Sequence, residues 1–382
     1  MNNERKRIVF LTGTRADFGK IKALLSALDG SGSFELFLFV TGMHLLSRYG
    51  STVEEVRAMN VGSLYTFINQ NHDDSMVSVF AKTVSGFSDY VSETQPDLVV
   101  VHGDRVEALA GATVGALAGI RVAHIEGGEL SGTVDELIRH AVTKLAHLHL
   151  VSNESARDRV LQLGESPDSV HVIGSPDIDV MDSGNLPPIS EVRRHYGIPF
   201  SEYGILIFHP VTTELDRLKH DVRVLVDFVL STNLNYIVIL PNNDSGARII
   251  FDEYKRFEGS RRFRCFPSMR FEYFLAALKN AGFIIGNSSA GVREAPHFGV
   301  PAINVGSRQF RRSDSSLVVN SAVSFEGLDA ALARARALPR EPDGQFGAGN
   351  SAMLFLQVLE SSDTWLTPIQ KSFNDRKASG HP

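Results

Sequence analysis

Three carboxylic side chains lie close together in the sequence, each beside the end of an apolar run or the start of a predicted helix. Asp104 follows the run Asp97–His102, and Glu126 follows the run Arg121–Ile125. Asp135 stands where a Gly/Ser/Thr-rich loop turns into a predicted helix. Side chains just past the carboxyl ends of neighbouring parallel strands converge on one crevice. Carboxylates that share a crevice can hold different protonation states, so we predict that these three divide acid and base work in one catalytic site.

The strongest anion-binding pattern is the segment Gly286–Gly306, GNSSAGVREAPHFGVPAINVG. A predicted strand ends at its first residue, and Ser-Ser-Ala-Gly at 288–291 opens a predicted helix, so hydroxyls and free backbone N–H groups point beyond the strand. Glu294 is predicted one to two turns into that helix, where a carboxylate can accept both hydroxyls of a ribose. Arg308 and Arg312 follow the next predicted strand and can reach the same anion. The alternative is a simple helix cap with a solvent-facing glutamate and surface arginines.

Three shorter patterns are consistent with a ligand but do not require one. The loop Thr12–Lys20 (TGTRADFGK) places Arg15 between a strand and a helix, where an anion can bind, although a tight turn with a surface arginine fits equally well. His209 closes the run YGILIFH and can hydrogen-bond a phosphate oxygen or serve a structural role. Asn242, in PNNDSG, can contact a ligand or belong to a helix cap. The first loop is not a GxGxxG fingerprint, so a nicotinamide cofactor is not indicated.

Composition limits the class of protein. The 382 residues suffice for two domains of ordinary size, and a net charge of −6 argues against nucleic acid as a partner. The single Cys265 excludes an intramolecular disulfide and a multi-cysteine zinc site. For the pair His147 and His149 we favour a structural role, since no third ligand lies at a supporting spacing, and no metal is predicted. Without an apolar run of about 18 residues or a signal peptide, we expect a cytoplasmic protein that does not interact with membranes.

Short apolar runs alternate with amphipathic stretches, a pattern typical of parallel βαβ units. The predicted strands are Arg7–Thr12, Phe34–Thr41, Asp97–His102, Arg121–Ile125, His149–Ser152, Ser169–Ile173, Tyr203–His209, Tyr236–Pro241, Phe263–Phe266, Gly282–Gly286 and Pro301–Val305. The predicted helices include Lys20–Leu28, Met76–Val91, Val106–Leu117, Asp135–Ala146, Glu214–Ser231, Arg270–Lys279 and Glu326–Ala337. The Gly/Ser/Pro-rich segment Ser183–Ser190 divides the pattern. The sequence therefore predicts an α/β protein of two doubly wound, Rossmann-like domains that face each other across a cleft.

Six motifs, spread over nearly the whole chain, resemble those of one enzyme family. They are GTRADFGK, HGDRVEALA, HIEGGELSGTVDELIRH, FHPVTTE, PNNDSG and GNSSAGVREAPHFGVPAINVGSRQ. In type and order they resemble the hydrolysing UDP-N-acetylglucosamine 2-epimerases, and most closely the bacterial branch that supplies N-acetylmannosamine for sialic acid capsules. The resemblance implies a GT-B-like fold, a homodimer in the cytoplasm, and a UDP-sugar substrate.

The resemblance also implies a division of the chain. Residues 1–182 would form a domain that carries the catalytic carboxylates, and residues 183–364 would form a UDP-binding domain. The segment 365–382, which begins with Trp365, would cross back onto the first domain.

Individual roles follow from the same resemblance. Asp104, Glu126 and Asp135 match the family's catalytic carboxylates. The residues expected to bind UDP are Arg15, Gly19, Arg105, His209, Asn242, Ser288, Ser289, Gly291, Glu294 and Arg308. Among them, Glu294 is expected to contact the ribose. Animal members of the family carry Ser where this chain has Gly19, which leaves Gly19 a backbone contact at most.

The implied reaction converts UDP-N-acetylglucosamine and water to N-acetylmannosamine and UDP through 2-acetamidoglucal, with inversion at C2. Glu126 and Asp135 are assigned to the two proton transfers and Asp104 assists, and no cofactor or metal is required. Three alternatives stay open: the same reaction on UDP-2,4-diacetamido-2,4,6-trideoxyglucose, a retaining glycosyltransferase with the GT-B fold, and a nucleotide-sugar sensor without catalysis. The concentration of carboxylates in the first domain favours elimination over sugar transfer.

Overall fold

The computed structural model describes residues 5–47, 50, 52–71, 74–241, 244–309 and 311–375, and within them it contains two parallel β-sheets. The strands of the first sheet are β1 Lys6–Thr12, β2 Phe34–Val40, β3 Ser63–Thr66, β4 Leu98–His102, β5 Arg121–Ile125, β6 Leu148–Val151 and β7 Val170–Val172. The strands of the second are β8 Gly204–Ile207, β9 Tyr236–Ile239, β10 Phe263–Phe266, β11 Phe283–Gly286, β12 Ala302–Val305 and β13 Val318–Ser321. Each sheet with the helices that cover it is called a lobe below, the first and the second.

Helices connect the strands. Those of the first lobe are α1 Arg15–Ser31, α2 Val53–Met59, α3 Met76–Thr94, α4 Val106–Leu117, α5 Val134–Leu145, α6 Glu154–Gln162 and α7 Pro176–Asp182. Those of the second lobe are α8 Ile189–His195, α9 Leu215–Ser231, α10 Ala247–Tyr254, α11 Phe271–Lys279, α12 Glu294–His297 and α13 Phe325–Ala337. They are followed by α14 Ser351–Glu360 and α15 Ser362–Leu366. None of the helices in the described part of the chain has the length and apolar character needed to cross a membrane.

Both sheets have the same doubly wound order. The first runs β3-β2-β1-β4-β5-β6-β7 and the second β10-β9-β8-β11-β12-β13, so the order reverses between β1 and β4 and between β8 and β11. The central strands are buried on both faces, as helices on both sides of a sheet require. The crevice at such a reversal, beyond the carboxyl ends of the strands, is the usual ligand position. The predicted fold, two Rossmann-like domains facing across a cleft, is confirmed.

Two strands, β3 and β13, are absent from the prediction. Each lies at an edge of its sheet and has four residues, and β3 shows no buried side chain. Neither therefore has the continuous apolar run that marks a central strand. The first helix also starts earlier than predicted, at Arg15 instead of Lys20. The reason is a capping box in which the Thr14 and Asp17 side chains bond each other's backbone N–H groups.

The chain returns to the first lobe through α14. Phe355 and Leu359 of this helix are buried in the same apolar core as side chains of β1 and α1. Further along, Arg121 of β5 donates hydrogen bonds to the carbonyl oxygens of Trp365 at 2.6 Å and Thr367 at 3.0 Å. Both α14 and α15 thus lie against the first lobe, and the domain limits at residues 182 and 364 remain predictions.

Candidate active site

Residues that follow strands of both lobes enclose a cavity of about 310 Å³. The predicted site residues that line it are Arg15, Asp104, Arg105, Glu126, Asp135, His209, Ser288, Ser289, Glu294 and Arg308. Of the predicted residues that the structure describes, Gly19 and Gly291 do not line this cavity. Asn242 lies outside the described residues. The structure therefore brings both predicted halves of the site, carboxylates and anion-binding groups, to one place.

Gly19 lies where the two lobes touch. A Cβ atom built on Gly19 would come within 2.6 Å of Cγ of Phe271, so the missing side chain lets α1 approach α11 of the second lobe. Gly291 faces packed side chains, with a built Cβ 3.7 Å from that of Ala302. Gly19 therefore has a packing role, whereas a Cβ at Gly291 would make only an ordinary van der Waals contact. The contacts of both glycines with UDP remain predictions.

Glu126 has an unusual backbone conformation. Its φ angle of 62° is in the left-handed region, which non-glycine residues seldom adopt. The amide of Glu126 nevertheless donates a 2.9 Å hydrogen bond to the carbonyl oxygen of Leu150 in β6, which continues the sheet pairing past the end of β5. Strain of this kind persists where the surrounding structure compensates for it, often at functional sites. Here it turns the Glu126 side chain into the cavity wall.

The Glu126 side chain belongs to a buried group of charges, called the inner cluster below, which consists of Lys20, Glu126, Glu129, Asp177 and Arg293. Glu126 Oε1 accepts a hydrogen bond from Arg293 Nη2 at 2.5 Å, and Lys20 Nζ lies 3.7 Å away. Glu126 Oε2 lies 3.2 Å from His102 Nε2. Burial alone would raise the pKa of Glu126, but the charges of Arg293, Lys20 and His102 hold it well below its usual range. Glu126 is therefore ionised at neutral pH.

Asp104 and Asp135, called the outer pair below, are less buried. Arg139 Nη2 donates to Asp104, and Arg308 Nη2 donates to Asp135 at 3.2 Å. Burial opposes ionisation of Asp104, but Arg139, Arg312 and Arg308 outweigh it and lower its pKa to about 2. For Asp135, burial and the neighbouring charge of Asp104 raise the pKa above its usual value in spite of Arg308. The outer pair thus combines an ionised carboxylate with one that is more readily protonated.

Arginines from the first lobe reach across the cavity to the second. Arg15 Nη1 donates to Ser268 Oγ at 2.7 Å, and Arg105 Nη1 lies 3.5 Å from Asp244 Oδ1. Because both guanidinium groups also line the cavity, they place positive charge beside any anion bound there. They join the lobes and supply part of the anion-binding character of the cleft.

Asn287, which the prediction omits, organises the opposite wall. Its side chain accepts a hydrogen bond from the His209 amide at 2.7 Å and donates one to the His209 carbonyl oxygen at 2.9 Å. Its own carbonyl oxygen accepts a hydrogen bond from Arg308 Nη1 at 3.3 Å. This fully buried amide fixes His209 and Arg308 beside the carboxyl ends of β8 and β11.

The segment after β11 differs from the prediction. Ser288 caps a short 3-10 turn, Ser289–Gly291, and α12 begins at Glu294 instead of containing it one to two turns inside. Pro296 explains the break, because its ring lacks an N–H group and would clash with the carbonyl four residues earlier in a continuous helix. The Glu294 side chain is buried 3.7 Å from Lys20 Nζ, so the alternative of a solvent-facing glutamate is wrong. Burial raises the pKa of Glu294 in spite of Lys20.

Several charged or titratable residues of the site were not predicted as such: Asp17, Lys20, His102, Glu129, Arg139, Asp177 and Arg293. Arg139 stands four residues after Asp135 on α5, a spacing that puts both on one helix face and could have identified it. Lys20 and His102 lie within quoted motifs, but their types alone do not separate them from surface or core residues. Arg293 precedes Glu294 directly, and nothing in the sequence indicates that it reaches the first lobe.

The histidine pair does not form a shared site. His147 Nδ1 accepts a hydrogen bond from the Val122 amide at 3.1 Å, and its Nε2 donates to the Ile369 carbonyl oxygen at 3.0 Å. His149 Nε2 lies 3.0 Å from Glu165 Oε2 instead. Across the described ranges, no group of three or more His, Cys, Asp or Glu residues is arranged to hold a metal ion. Each histidine therefore has its own partners, as a structural role predicts.

Comparisons with known proteins identify the family of this chain. Residues 26–360 match the family model described as UDP-N-acetylglucosamine 2-epimerase. The UDP-N-acetylglucosamine 2-epimerase of Neisseria meningitidis serogroup B is 46% identical over 374 residues, 97% of this chain and 99% of the relative. The hydrolysing UDP-N,N'-diacetylbacillosamine 2-epimerase of Legionella pneumophila is 32% identical, with 93% and 96% covered. The polysialic acid biosynthesis protein P7 of Escherichia coli is 34% identical, with 82% of each chain covered.

Solved structures give the same fold. The Methanocaldococcus jannaschii UDP-GlcNAc 2-epimerase in complex with UDP-GlcNAc and UDP superimposes with a TM-score of 0.81 at 20% identity, covering 92% of this chain and 99% of that one. The Neisseria meningitidis UDP-GlcNAc 2-epimerase bound to UDP-GlcNAc gives a TM-score of 0.79 at 15% identity, with the same coverage. The fold similarity, the family model and the identity to curated relatives lead to one conclusion: this chain belongs to the UDP-N-acetylglucosamine 2-epimerase family.

Proposed function

We propose that the protein is a hydrolysing UDP-N-acetylglucosamine 2-epimerase, of the O-glycosyl hydrolase type, that converts UDP-N-acetylglucosamine and water to N-acetylmannosamine and UDP. The observation that carries the proposal is that three first-lobe carboxylates meet the Ser288, Ser289 and Arg308 wall of the second lobe in one cavity. The name of the 46% identical relative supports the epimerase activity. The polysialic acid relative supports a place at the start of sialic acid synthesis.

The reaction begins with a difficulty at C2 of the sugar. No carbonyl group stands beside the C2 proton, so it is not acidic in the intact substrate. Departure of UDP from C1 gives that carbon oxocarbenium character, which weakens the C2–H bond. Loss of the proton then yields 2-acetamidoglucal and UDP. Addition of water at C1, with a proton delivered to C2 from the opposite face, completes the epimer and balances the reaction.

Departure of UDP requires positive charge and hydrogen-bond donors at the pyrophosphate. In this proposal Arg15, Arg105, His209 and Arg308 supply them together with the Ser288–Ser289 turn. Arg308 pairs with Asp135 at 3.2 Å and can transfer that interaction to a bound phosphate. Release of Asp135 from Arg308 would raise its pKa further, which prepares it as a proton donor.

The carboxylates divide the proton transfers. Glu126, which is ionised, accepts the C2 proton at Oε2, the oxygen that Arg293 does not bind. Asp135, whose pKa is raised, returns a proton to the other face. Asp104, held ionised by Arg139, orients the sugar or the attacking water. General acid–base groups of this kind contribute on the order of 10²–10⁴ in rate each.

The alternative proposal is the same reaction on a second substrate, for which two relatives are named. The Legionella pneumophila and Campylobacter jejuni proteins, 32% and 28% identical, act on diacetylbacillosamine nucleotides by name. UDP-2,4-diacetamido-2,4,6-trideoxyglucose would undergo the same elimination and differ only at C4 and C6. The 46% identity to the Neisseria meningitidis relative favours UDP-N-acetylglucosamine.

A homodimer in the cytoplasm is also part of the proposal and rests on the family resemblance. Light scattering on the eluted peak of a size-exclusion column tests it directly. A mass twice the 41.9 kDa of the chain is expected, and a monomer would contradict it.

The function is tested by incubation with UDP-N-acetylglucosamine in D₂O, followed by proton NMR. We expect UDP together with N-acetylmannosamine that carries deuterium at C2. UDP release that requires an added acceptor would indicate a glycosyltransferase. UDP binding without turnover of either UDP-sugar would indicate a sensor. Turnover of the diacetamido sugar alone would move the substrate to that branch.

A further inference from the structure

A cation from the second lobe is buried among the carboxylates of the first. The Arg293 side chain has no exposed surface. Its Nη2 donates to Glu126 Oε1 at 2.5 Å and also to Ser175 Oγ, and its Nη1 donates to Glu129 Oε1. Asp177 Oδ1 lies 3.8 Å from Nη2. A single guanidinium therefore binds several first-lobe groups at once, in directions that its rigid, planar set of donors fixes.

The chain position of Arg293 ties it to the nucleotide side of the cavity. It stands between the 3-10 turn Ser289–Gly291 and Glu294, and residues on both sides of it line the cavity. On its other face, Cζ of Arg293 lies 4.7 Å from the centre of the Phe346 ring, a cation–π contact. The guanidinium is thus clamped between this ring and the carboxylates, with little freedom to move independently.

The contacts of Arg293 determine which oxygen of Glu126 can accept the C2 proton. Oε1 is occupied by Arg293 and Ser175, so Oε2 is the oxygen turned toward His102, at 3.2 Å. These contacts hold the Glu126 side chain in its observed direction. Without Arg293, Glu126, Glu129 and Asp177 would face one another with less opposing charge, and their mutual repulsion would turn them apart.

We propose that Arg293 is a positioning residue for the proton transfer at Glu126, acting from the segment that binds the nucleotide. This inference rests on the proposed function, because it assigns Arg293 a role in that reaction. Arg293 touches no reacting atom in the scheme. It acts through Glu126, the proposed proton acceptor, and so connects the second lobe to this residue of the first.

The test is a double-mutant cycle on the full-length protein. The variants are R293Q, R293K, E126Q and the double variant E126Q/R293Q, with kcat from N-acetylmannosamine formation and UDP affinity from calorimetry. R293Q should lower kcat by about 10²-fold or more, since it disables one acid–base group. Because both residues serve one step, the double variant should stay within about threefold of E126Q. UDP should still bind to R293Q.

The control is R262Q. Arg262 also lies in the second lobe and donates to the carbonyl oxygens of Leu230 at 3.1 Å and Leu234 at 3.5 Å, away from the cavity. Its loss should lower thermal stability and leave kcat unchanged. R293K covers the case in which R293Q does not fold, because it retains the buried charge but loses the fork. R293K should then bind UDP with a reduced kcat.

Three results would overturn the inference. They are wild-type kcat in R293Q or R293K, losses that multiply in the double variant, and an R293Q protein affected only in stability, as R262Q should be. A wild-type protein that forms no N-acetylmannosamine contradicts the proposed function, and the inference falls with it. Normal wild-type turnover with normal turnover by R293Q contradicts this inference alone.

Discussion

The inner cluster and the outer pair place the same functional group in two different environments. The Glu126 side chain is 4% exposed and lies among several charges from both lobes. Asp104 and Asp135 are 23% and 24% exposed, and each has one direct arginine partner. In the inner cluster, cations outweigh the cost of burial and keep Glu126 ionised. In the outer pair, Arg139, Arg312 and Arg308 lower the pKa of Asp104, whereas burial and the charge of Asp104 raise the pKa of Asp135.

The difference shows how one crevice can supply an acid and a base from chemically similar side chains. A base must be ionised before substrate arrives, which the inner cluster achieves with fixed cations. The proposed acid must be protonated more readily, which burial and the neighbouring charge of Asp104 favour for Asp135. E126Q, D135N and R139M test this difference, and G19A tests the packing between the lobes.

The largest effect is expected from E126Q. The amide keeps the shape of the side chain but cannot accept the C2 proton, so kcat should fall by about 10²–10⁴-fold. Glu126 is not among the residues proposed to bind UDP, so calorimetry should show that UDP still binds. Near-normal turnover by E126Q would show that the assignment of the base is wrong.

D135N tests the proposed proton donor of the outer pair. Asparagine cannot return a proton, while Glu126 can still remove one, so elimination should continue without completion. NMR should show UDP accompanied by 2-acetamidoglucal in place of N-acetylmannosamine, with formation of the final product reduced by about 10²-fold or more. If N-acetylmannosamine were the only sugar product at a normal rate, Asp135 would not be the donor.

R139M should have a smaller effect and a diagnostic pH dependence. Arg139 is the main cation that lowers the pKa of Asp104 to about 2. Without it that pKa rises, so the ionised form is lost at higher pH and the acid side of the kcat profile moves upward in pH. The fall in kcat should be larger at acid pH than at neutral pH, because a rise of about 1–3 units in the pKa still leaves Asp104 ionised at neutral pH. R139K, which retains the charge, should show a smaller shift, and an unmoved acid limb in R139M would contradict this role for Arg139.

G19A should affect stability and leave the carboxylates alone. The added methyl group would lie 2.6 Å from Cγ and 2.8 Å from Cβ of Phe271, and side-chain rotation cannot move the Cβ atom aside. Overpacking of this kind costs about 1–3 kcal/mol. Thermal unfolding should show a lower midpoint, and the double variant G19A/F271A should recover part of it. An unchanged midpoint in G19A would mean that the lobes separate there at no cost.

The sequence could predict the site because chemistry and strand ends coincide. Asp104 and Glu126 follow buried runs that became β4 and β5, so their convergence follows from parallel pairing. Ser288 and Arg308 follow β11 and β12 for the same reason. Apolar periodicity also placed the central strands of both sheets within a few residues of their observed bounds.

The partners of these residues could not be predicted. Glu126 is held by Ser175 and Arg293, which are both remote from it in sequence. Arg293 belongs to the predicted anion-binding segment Gly286–Gly306, but nothing in that pattern indicates a contact with a first-lobe carboxylate. Their contact depends on how the two lobes pack, and a single sequence contains no direct record of that packing. The break between the 3-10 turn Ser289–Gly291 and α12 was not predicted, although Pro296 disfavours a continuous helix there. The edge strands β3 and β13 lack the apolar runs on which strand prediction relies.

The return of α14 to the first lobe has a consequence for synthesis on the ribosome. Phe355 and Leu359 complete an apolar core that otherwise consists of residues from the beginning of the chain. The second lobe, which contains only residues made in between, can bury its core while translation continues. The first-translated lobe must therefore keep an apolar surface open until almost all of the chain has emerged. The nascent chain should become protease-resistant in its middle before its beginning.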